Sequence, residues 1–84
     1  MVTLMYFARL REALGTGTER VELTAGVRDV GGLLDSLRAR GGAWAEELAP
    51  GRTVRVAVNK EMAEPATPLR DGDEVALFPP VTGG

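Results

Sequence analysis

The chain has 84 residues, of which 44% are hydrophobic, and its ten basic and twelve acidic residues give a formal net charge of −2. This length suits one domain with one modest core, and the interspersed charges leave no basic stripe for a nucleic-acid backbone. The absence of Cys and His excludes thiolate nucleophiles, disulfides, metal sites built on thiolates or imidazoles, and side chains that titrate near neutral pH when unperturbed.

No stretch of the sequence approaches the roughly 20 apolar residues of a membrane span. The first twelve residues, MVTLMYFARLRE, have no basic region ahead of their apolar run, as a secretory signal would. We therefore expect a cytoplasmic protein that binds no metal and no cofactor of its own.

The first third of the chain predicts a strand, a short helix and a second strand. Residues 1–7, MVTLMYF, are apolar at nearly every position, which predicts a central strand covered on both faces. Phe7, Leu10 and Leu14 then recur at helical spacing, with Gly15 placed as a left-handed cap. Residues 18–23, TERVEL, alternate as a half-buried strand does.

The main helix is predicted by apolar residues that recur every three or four positions, namely Val27, Val30, Leu33, Leu34 and Leu37. Asp29 is placed to cap its start, and Gly41-Gly42 to end it. Gly31 and Gly32 cost this helix about 1 kcal/mol each relative to Ala. That cost is tolerable if the first turn lies close against the sheet.

The second half of the chain predicts three more strands. Residues 43–49, AWAEELA, indicate a short helix or turn packed by Trp44 and Leu48, and residues 53–58, TVRVAV, a strand. Asn59-Lys60 is a turn before a short edge strand at residues 61–63, and the proline-bearing residues 64–69 are a connection. After the tight turn RDGD, residues 74–78, EVALF, form the last strand, which the following prolines stop.

This order predicts an α+β fold of the β-grasp, or ubiquitin-like, class. One main helix would pack across a mixed sheet whose first and last strands are adjacent and central, with a short extra helix after the first strand. The predicted domain occupies residues 1–78, and residues 79–84 form an extended tail that carries the reactive terminus.

The tail, PPVTGG, has features of a segment that presents its terminal carboxylate to another protein. Pro79-Pro80 favours an extended conformation of about 3.1 Å per residue, and Gly83 and Gly84 could enter a channel too narrow for other residues. A chance Gly-Gly at the last two positions has a probability below about 2% at this glycine content.

The terminal carboxylate is a poor electrophile and must first be activated. After adenylation, attack by sulfur would make a thiocarboxylate or acyl persulfide, and attack by an amine would make a protein modifier.

Three segments carry a family resemblance, and together they span nearly the whole chain. DGDEVALFPPVTGG resembles the C-terminus of the small subunit of molybdopterin synthase, the MoaD-like sulfur carriers. YFARLREALG resembles the first strand and helix of that family, and VAVNKE its third strand and turn. The first helix separates this family from the shorter sulfur carriers of thiamine biosynthesis. The sequence departs from the family chiefly at Gly31-Gly32 and in the EPATP connection.

The resemblance implies that Gly84 is the site of adenylation and of the thiocarboxylate, and that Gly83 gives access to a channel. An ATP- and Mg-dependent, E1-like activating enzyme and a sulfur donor such as a cysteine desulfurase or a rhodanese would load the sulfur. The large subunit of molybdopterin synthase, in a heterotetramer, would then use it to convert cyclic pyranopterin monophosphate to molybdopterin. The chain would be a sulfur-donating subunit of a sulfurtransferase complex, not catalytic alone.

Two partners must dock near the tail, so we expect an exposed apolar patch there. The predicted partner-binding residues are Phe7, Met62, Phe78, Pro79, Pro80, Val81 and Thr82. For Phe7 and Met62, matched to interface positions of the family, ordinary core packing is an equal alternative. Arg9, Arg11 and Arg70 would be either rim contacts or part of a solvated face.

Three other functions are compatible with the same residues. The sulfur could go to another pathway, such as thiamine synthesis, tRNA thiolation or cysteine synthesis. A ubiquitin-like modifier would instead join Gly84 to a lysine. A binding module with an idle tail would lose nothing on deletion of Gly83 and Gly84.

Overall fold

The predicted order of strands and helices is confirmed in the computed structural model, which describes residues 1–24 and 26–80. The strands are β1 (Val2–Tyr6), β2 (Thr18–Val21), β3 (Arg55–Val58), β4 (Glu61–Met62) and β5 (Glu74–Phe78). The helices are α1 (Ala8–Leu14), α2 (Val30–Arg38) and α3 (Gly42–Glu47). None of the helices in the described part of the chain is long and apolar enough to cross a membrane.

The five strands form one mixed sheet in the order β2-β1-β5-β3-β4. The first and last strands, β1 and β5, pair in parallel, and the other three pairings are antiparallel. The prediction that these two strands are adjacent and lie inside the sheet is therefore confirmed. With α2 packed across one face through Val30, Leu33 and Leu37, the architecture is an α+β β-grasp fold.

Strand β1 is covered on only one face, so the prediction of coverage on both faces was wrong. Val2, Leu4 and Tyr6 are buried, whereas Thr3 and Met5 between them stay partly exposed. The core lies between the sheet and the helices, and successive strand residues point to opposite faces. The strongly apolar sequence of β1 thus supplies a second, open face of the sheet.

Helix α1 ends as predicted but begins differently. Gly15 adopts the left-handed conformation with φ 75°, and its N–H donates to the carbonyl of Arg11, as an αL cap should. Phe7, predicted to share the inner helical face with Leu10 and Leu14, is instead extended (φ −123°, ψ 156°) and precedes the helix. Its ring therefore belongs to the open face of the sheet.

Helix α2 begins at its predicted cap, because Asp29 Oδ1 accepts a 2.8 Å hydrogen bond from the Gly32 N–H. It ends at Arg38, before the glycine pair that was expected to stop it. Gly41, with φ 77°, instead leads into α3, which confirms the predicted short helix. On α3, Trp44 lies half-buried against the core, with its ring edge-on to Tyr6 at a centroid distance of 5.4 Å.

Gly31, at the start of α2, has a different physical reason from the predicted one, whereas Gly32 lies against its own cap residue Asp29. The Gly31 N–H donates to the carbonyl of Pro65 at 2.9 Å, and a Cβ on Gly31 would lie 3.3 Å from that oxygen. The close approach is therefore to the proline-bearing connection and not to the sheet. The two segments in which the sequence departs from the family pattern thus contact each other.

A polar network joins β1 to β2 and to the end of α2. The Tyr6 hydroxyl donates to Glu19 Oε2 at 2.8 Å, and Arg40 donates to both oxygens of Glu19 at 3.0 Å. The Arg40 guanidinium also lies 4.5 Å from the centre of the Trp44 ring. The hydrogen bonds from Arg40 hold the pKa of Glu19 below its ordinary value, and burial raises the pKa of Tyr6 well above its own.

We expect this network to make the fold sensitive to acid. Because the pKa of Glu19 is lower in the folded chain than its ordinary 4.5, its contribution is present above about pH 4.5 and is lost as the pH falls through the folded-state value. Glu19→Gln should cost about 1–3 kcal/mol at neutral pH and flatten the loss of stability as the pH falls below about 4.5. Urea unfolding at several pH values measures both effects.

The acid dependence should not disappear completely in this variant. The Arg70 N–H and the Asn59 side chain hold the pKa of Asp73 below its usual value as well. Asp73→Asn is the comparison variant, because it should remove the separate contribution of that carboxylate and leave the contribution of the network unchanged. An unchanged pH profile in Glu19→Gln would contradict the assigned role of Glu19.

Candidate partner-binding surface at the tail root

The structure describes the first two residues of the tail, Pro79 and Pro80, and the tail root is the segment from Phe78, the last residue of β5, to Pro80. The predicted site residues Val81, Thr82, Gly83 and Gly84 lie outside the described residues. Pro79 and Pro80 are half-buried. The candidate site is therefore described from the surfaces of the domain that lie next to Pro79 and Pro80.

The tail root is fixed because β5 is hydrogen-bonded on both sides. On one side Tyr6 pairs with Leu77, and the Phe7 N–H donates to the Leu77 carbonyl at 3.1 Å. On the other side Phe78 pairs with Arg55, the first residue of β3. The ladder stops there because Pro79 has no N–H to donate. The direction in which the chain leaves the domain is thus set by two neighbouring strands.

The open face of the sheet carries an apolar surface beside this root. Met5 pairs with Ala76, Ala76 with Ala57, and Ala57 with Met62, so these four residues form one row across four strands. Phe7 and Phe78 each follow the row by two residues and face the same way. We call these six residues the sheet patch: Met5, Phe7, Ala57, Met62, Ala76 and Phe78.

The structure places all three predicted apolar anchors on this patch. Phe7 is 47% exposed and Met62 is 62% exposed, so the alternative of core packing was wrong for both. Phe78 is half-buried at the root itself. Ala8, directly after Phe7, has φ 53°, a strained conformation for a non-glycine residue at the point where the chain turns from β1 into α1.

Sequence reasoning missed Met5, Ala57 and Ala76. The signal for Met5 and Ala76 was present, because each lies two residues before an aromatic anchor along extended chain. Ala57 lies between the inward-facing Val56 and Val58, so alternation places it on the open face, but no local signal gives its neighbours on the other strands. Only the pairing of β3 with β5 and β4 shows that Ala57 joins the row.

Charged residues surround the sheet patch on the open face. Arg20 pairs with Thr3, Thr3 with Glu74, and Arg55 with Phe78. The predicted rim residues Arg9 and Arg11 are exposed on α1. Arg70, by contrast, lies in the turn before β5, at the opposite end of that strand from the tail root.

A charged cluster lies on the other side of the tail root. Glu47 Oε1, buried at the end of α3, is 3.3 Å from Arg9 Nη2 and 3.7 Å from Arg52 Nη1. Arg9 and Arg52 also line a surface cavity of about 400 Å³ together with Thr53, Pro79 and Pro80. The prolines thus leave the domain between the sheet patch and two arginines. Glu47, which pairs with both arginines, was not singled out by sequence reasoning.

This arrangement suits binding rather than catalysis. An apolar centre with a charged rim is the composition of a protein-binding surface. Residues 1–24 and 26–80 contain no group of three carboxylates that could hold a metal ion.

Comparisons with known proteins agree with this geometry. A family model described as the ThiS family matches residues 4–84. The molybdopterin synthase sulfur carrier subunit of Escherichia coli (strain K12) is 40% identical over 84 residues, covering 100% of both chains. Haloferax volcanii small archaeal modifier protein 1 has 33% identity and a TM-score of 0.77, covering 95% of this chain and 97% of that one.

A fourth comparison involves a complex. A chain in the protein-protein complex of subunits 1 and 2 of molybdopterin-converting factor from Helicobacter pylori 26695 has 25% identity and a TM-score of 0.67, covering 99% of this chain and 97% of that one. The chain belongs to the ThiS family of ubiquitin-like proteins, together with the molybdopterin synthase sulfur carrier subunits.

Proposed function

We propose that this chain is the sulfur carrier subunit of a molybdopterin synthase. The observation that carries the proposal is the sheet patch, whose Phe7 and Met62 are exposed and whose Ala57 is buried, at the root of a tail that ends in Gly-Gly. Full-length alignment with the Escherichia coli sulfur carrier subunit, over 100% of both chains, supports it. Gly84 would hold the sulfur as a thiocarboxylate.

The proposed chemistry begins on the Gly84 carboxylate. An E1-like activating enzyme that uses ATP and Mg would join this carboxylate to adenylate and release pyrophosphate, which removes the charge and supplies a good leaving group. The outer sulfur of a persulfide donor, such as a cysteine desulfurase or a rhodanese, would then displace AMP and form an acyl persulfide with the donor. A thiol of a partner would cleave the S–S bond, forming a disulfide with the donor and leaving the thiocarboxylate on Gly84. The chain itself has no Cys or His, so the activating groups must come from the partners.

The large subunit of molybdopterin synthase is the proposed acceptor complex. It would receive the tail, and the sulfur would convert cyclic pyranopterin monophosphate to molybdopterin. A relative in a complex of two molybdopterin-converting subunits, at 25% identity, supports a partner of this kind. In this proposal the sheet patch binds the activating enzyme and the large subunit in turn, so the two partners compete for one surface.

Protein modification is the second candidate function. It is favoured by the 33% identity to a small archaeal modifier protein over 95% of this chain. The same adenylate would then be attacked by a lysine of a target protein, leaving Gly84 in an isopeptide bond. The two functions differ in the nucleophile and not in the surface that binds the activating enzyme.

An intact mass measurement tests the proposal. The chain is incubated with ATP, Mg, a MoaD-type activating enzyme and a sulfur donor, and a gain equal to replacing one oxygen by sulfur is expected on the C-terminal peptide. Omission of ATP is the control and should give no gain. A chain that stays unmodified with this enzyme, and with those of thiamine and tRNA thiolation, would overturn the proposal. A conjugate to lysine would favour the modifier.

A further inference from the structure

The cations of this chain are almost all arginines. The sequence has nine Arg and one Lys, at position 60. A guanidinium stays protonated and does not attack acyl groups, whereas a lysine side chain is an amine that can be acylated. The chain therefore offers two primary amines to an acylating group, namely Lys60 Nζ and the amino group of Met1.

Both amines lie at the same end of the sheet. Lys60 is an exposed residue of the turn between β3 and β4, just beyond the pairing of Val58 with Val75. The carbonyl of Met1 accepts from the Gly72 N–H at 2.7 Å, and the amino group of Met1 is paired with Asp71. Residues 71 and 72 lie in the turn that leads into β5.

The tail leaves from the opposite end. Asn59 lies opposite Glu74, because its N–H donates to the Glu74 carbonyl, so Lys60 lies about seven residues before Pro80 along the sheet, or about 23 Å at about 3.3 Å per residue. The four residues after Pro80 span at most about 14 Å and a lysine side chain about 6 Å, which together give about 20 Å. Close to the tail root the cations are Arg9 and Arg52, which line the cavity beside the two prolines, and Arg55, which pairs with Phe78. All three carry guanidinium groups, which stay protonated and do not attack acyl groups.

We propose that this placement of amines prevents the activated terminus from acylating its own chain, so that Lys60 can be joined only to Gly84 of a second copy. The proposal rests on the proposed activation of Gly84. In the excluded reaction a free amine attacks the carbonyl carbon of the Gly84 adenylate. A C–N bond forms, the C–O bond to phosphate breaks, AMP leaves with the electron pair, and the proton of the attacking amine goes to water.

The test uses a chemical acyl donor in place of the activating enzyme. The full chain is prepared with Gly84 as the thioester of a small thiol, and amine attack then forms the same C–N bond while the C–S bond breaks and the thiol leaves. Failure of this test is therefore separate from failure of the proposed function. Intact mass distinguishes the hydrolysed chain, a cyclic monomer and a linked dimer, and peptide mapping locates each bond.

Two arginine-to-lysine variants form the matched pair. Arg52→Lys places an amine beside the tail root, and Arg70→Lys places one near the end that already holds Lys60; both keep the charge. We expect wild type and Arg70→Lys to hydrolyse without cyclising. Arg52→Lys should form a cyclic monomer at least ten times faster, at a rate independent of protein concentration. Lys60→Arg should remove the Lys60-linked dimer that appears at high concentration.

Two outcomes would overturn the inference. One is a cyclic wild-type monomer linked through Lys60 or Met1 that forms as fast as the Arg52→Lys product. The other is an Arg52→Lys chain that cyclises no faster than Arg70→Lys. Thermal melting checks that each variant is folded, and Arg9→Lys, on the same cavity, replaces Arg52→Lys if that variant unfolds.

Discussion

Deletion of Gly84, or addition of one residue after it, should abolish sulfur transfer to the large subunit while the domain stays folded. Each change moves the terminal carbonyl by one residue, about 3.5 Å, and misplacement of a reacting group by about 1 Å can already cost 10²-fold in rate. The core residues nearest the tail root, such as Leu77, belong to β5 and are unaffected. Molybdopterin formation measures the loss of sulfur transfer, and the thermal unfolding midpoint measures whether the domain stays folded.

A side-chain variant of the tail sharpens the same prediction. Gly83→Ala adds one methyl group where a narrow channel is proposed, so it should reduce transfer strongly at unchanged length. Gly26→Ala is the matched control, because a Cβ there meets nothing within 4 Å and Gly26 is exposed outside the site. Normal molybdopterin formation by the deletion or the extension would defeat the proposed role of Gly84.

Loss of both aromatic anchors should weaken binding of the large subunit by roughly 2–4 kcal/mol, or about 30- to 900-fold in Kd. Phe7 and Phe78 are adjacent across the β1–β5 pairing and lie where the tail begins. A partner that receives the tail must therefore cover them. Titration calorimetry on the Phe7→Ala/Phe78→Ala double variant measures the change in Kd. The activating enzyme should also lose affinity, because it is proposed to bind the same sheet patch.

The ring-retaining variant Phe7→Tyr is the control for this experiment. Because Phe7 is 47% exposed, its hydroxyl can reach water and the apolar area is kept, so the affinity should change by less than about threefold. Phe7→Ala alone should leave the melting temperature nearly unchanged. Wild-type affinity in the double variant, together with a lowered melting temperature, would assign the two rings to the core instead.

Local signals in the sequence predicted most of the fold. Asp29 and Gly15 act through hydrogen bonds to residues three or four positions away, so a short window contains the whole cause. The adjacent, central placement of β1 and β5 followed from the order of elements, whereas their parallel pairing was seen only in the structure. The face of Phe7 was assigned wrongly because helical spacing to Leu10 and Leu14 was stronger evidence than the strand that precedes them.

Contacts between distant segments could not be predicted in this way. Glu47 meets Arg9 across 38 positions, and Gly31 meets Pro65 across 34. No residue type or spacing marks such pairs, since many arginines could serve a given carboxylate. For the same reason the candidate site was half predicted: its aromatic anchors were found, whereas its alanine row and its charged cluster depend on the sheet register.

The attachment of the tail to the central strand also has a mechanical consequence. Tension applied to the tail runs along β5, and the hydrogen bonds on both sides of this strand lie across its direction. Pulling therefore loads both ladders in shear, so many bonds must break together rather than one after another. A partner that grips residues beyond Pro80 could withdraw or release the tail repeatedly without unzipping the domain that carries it.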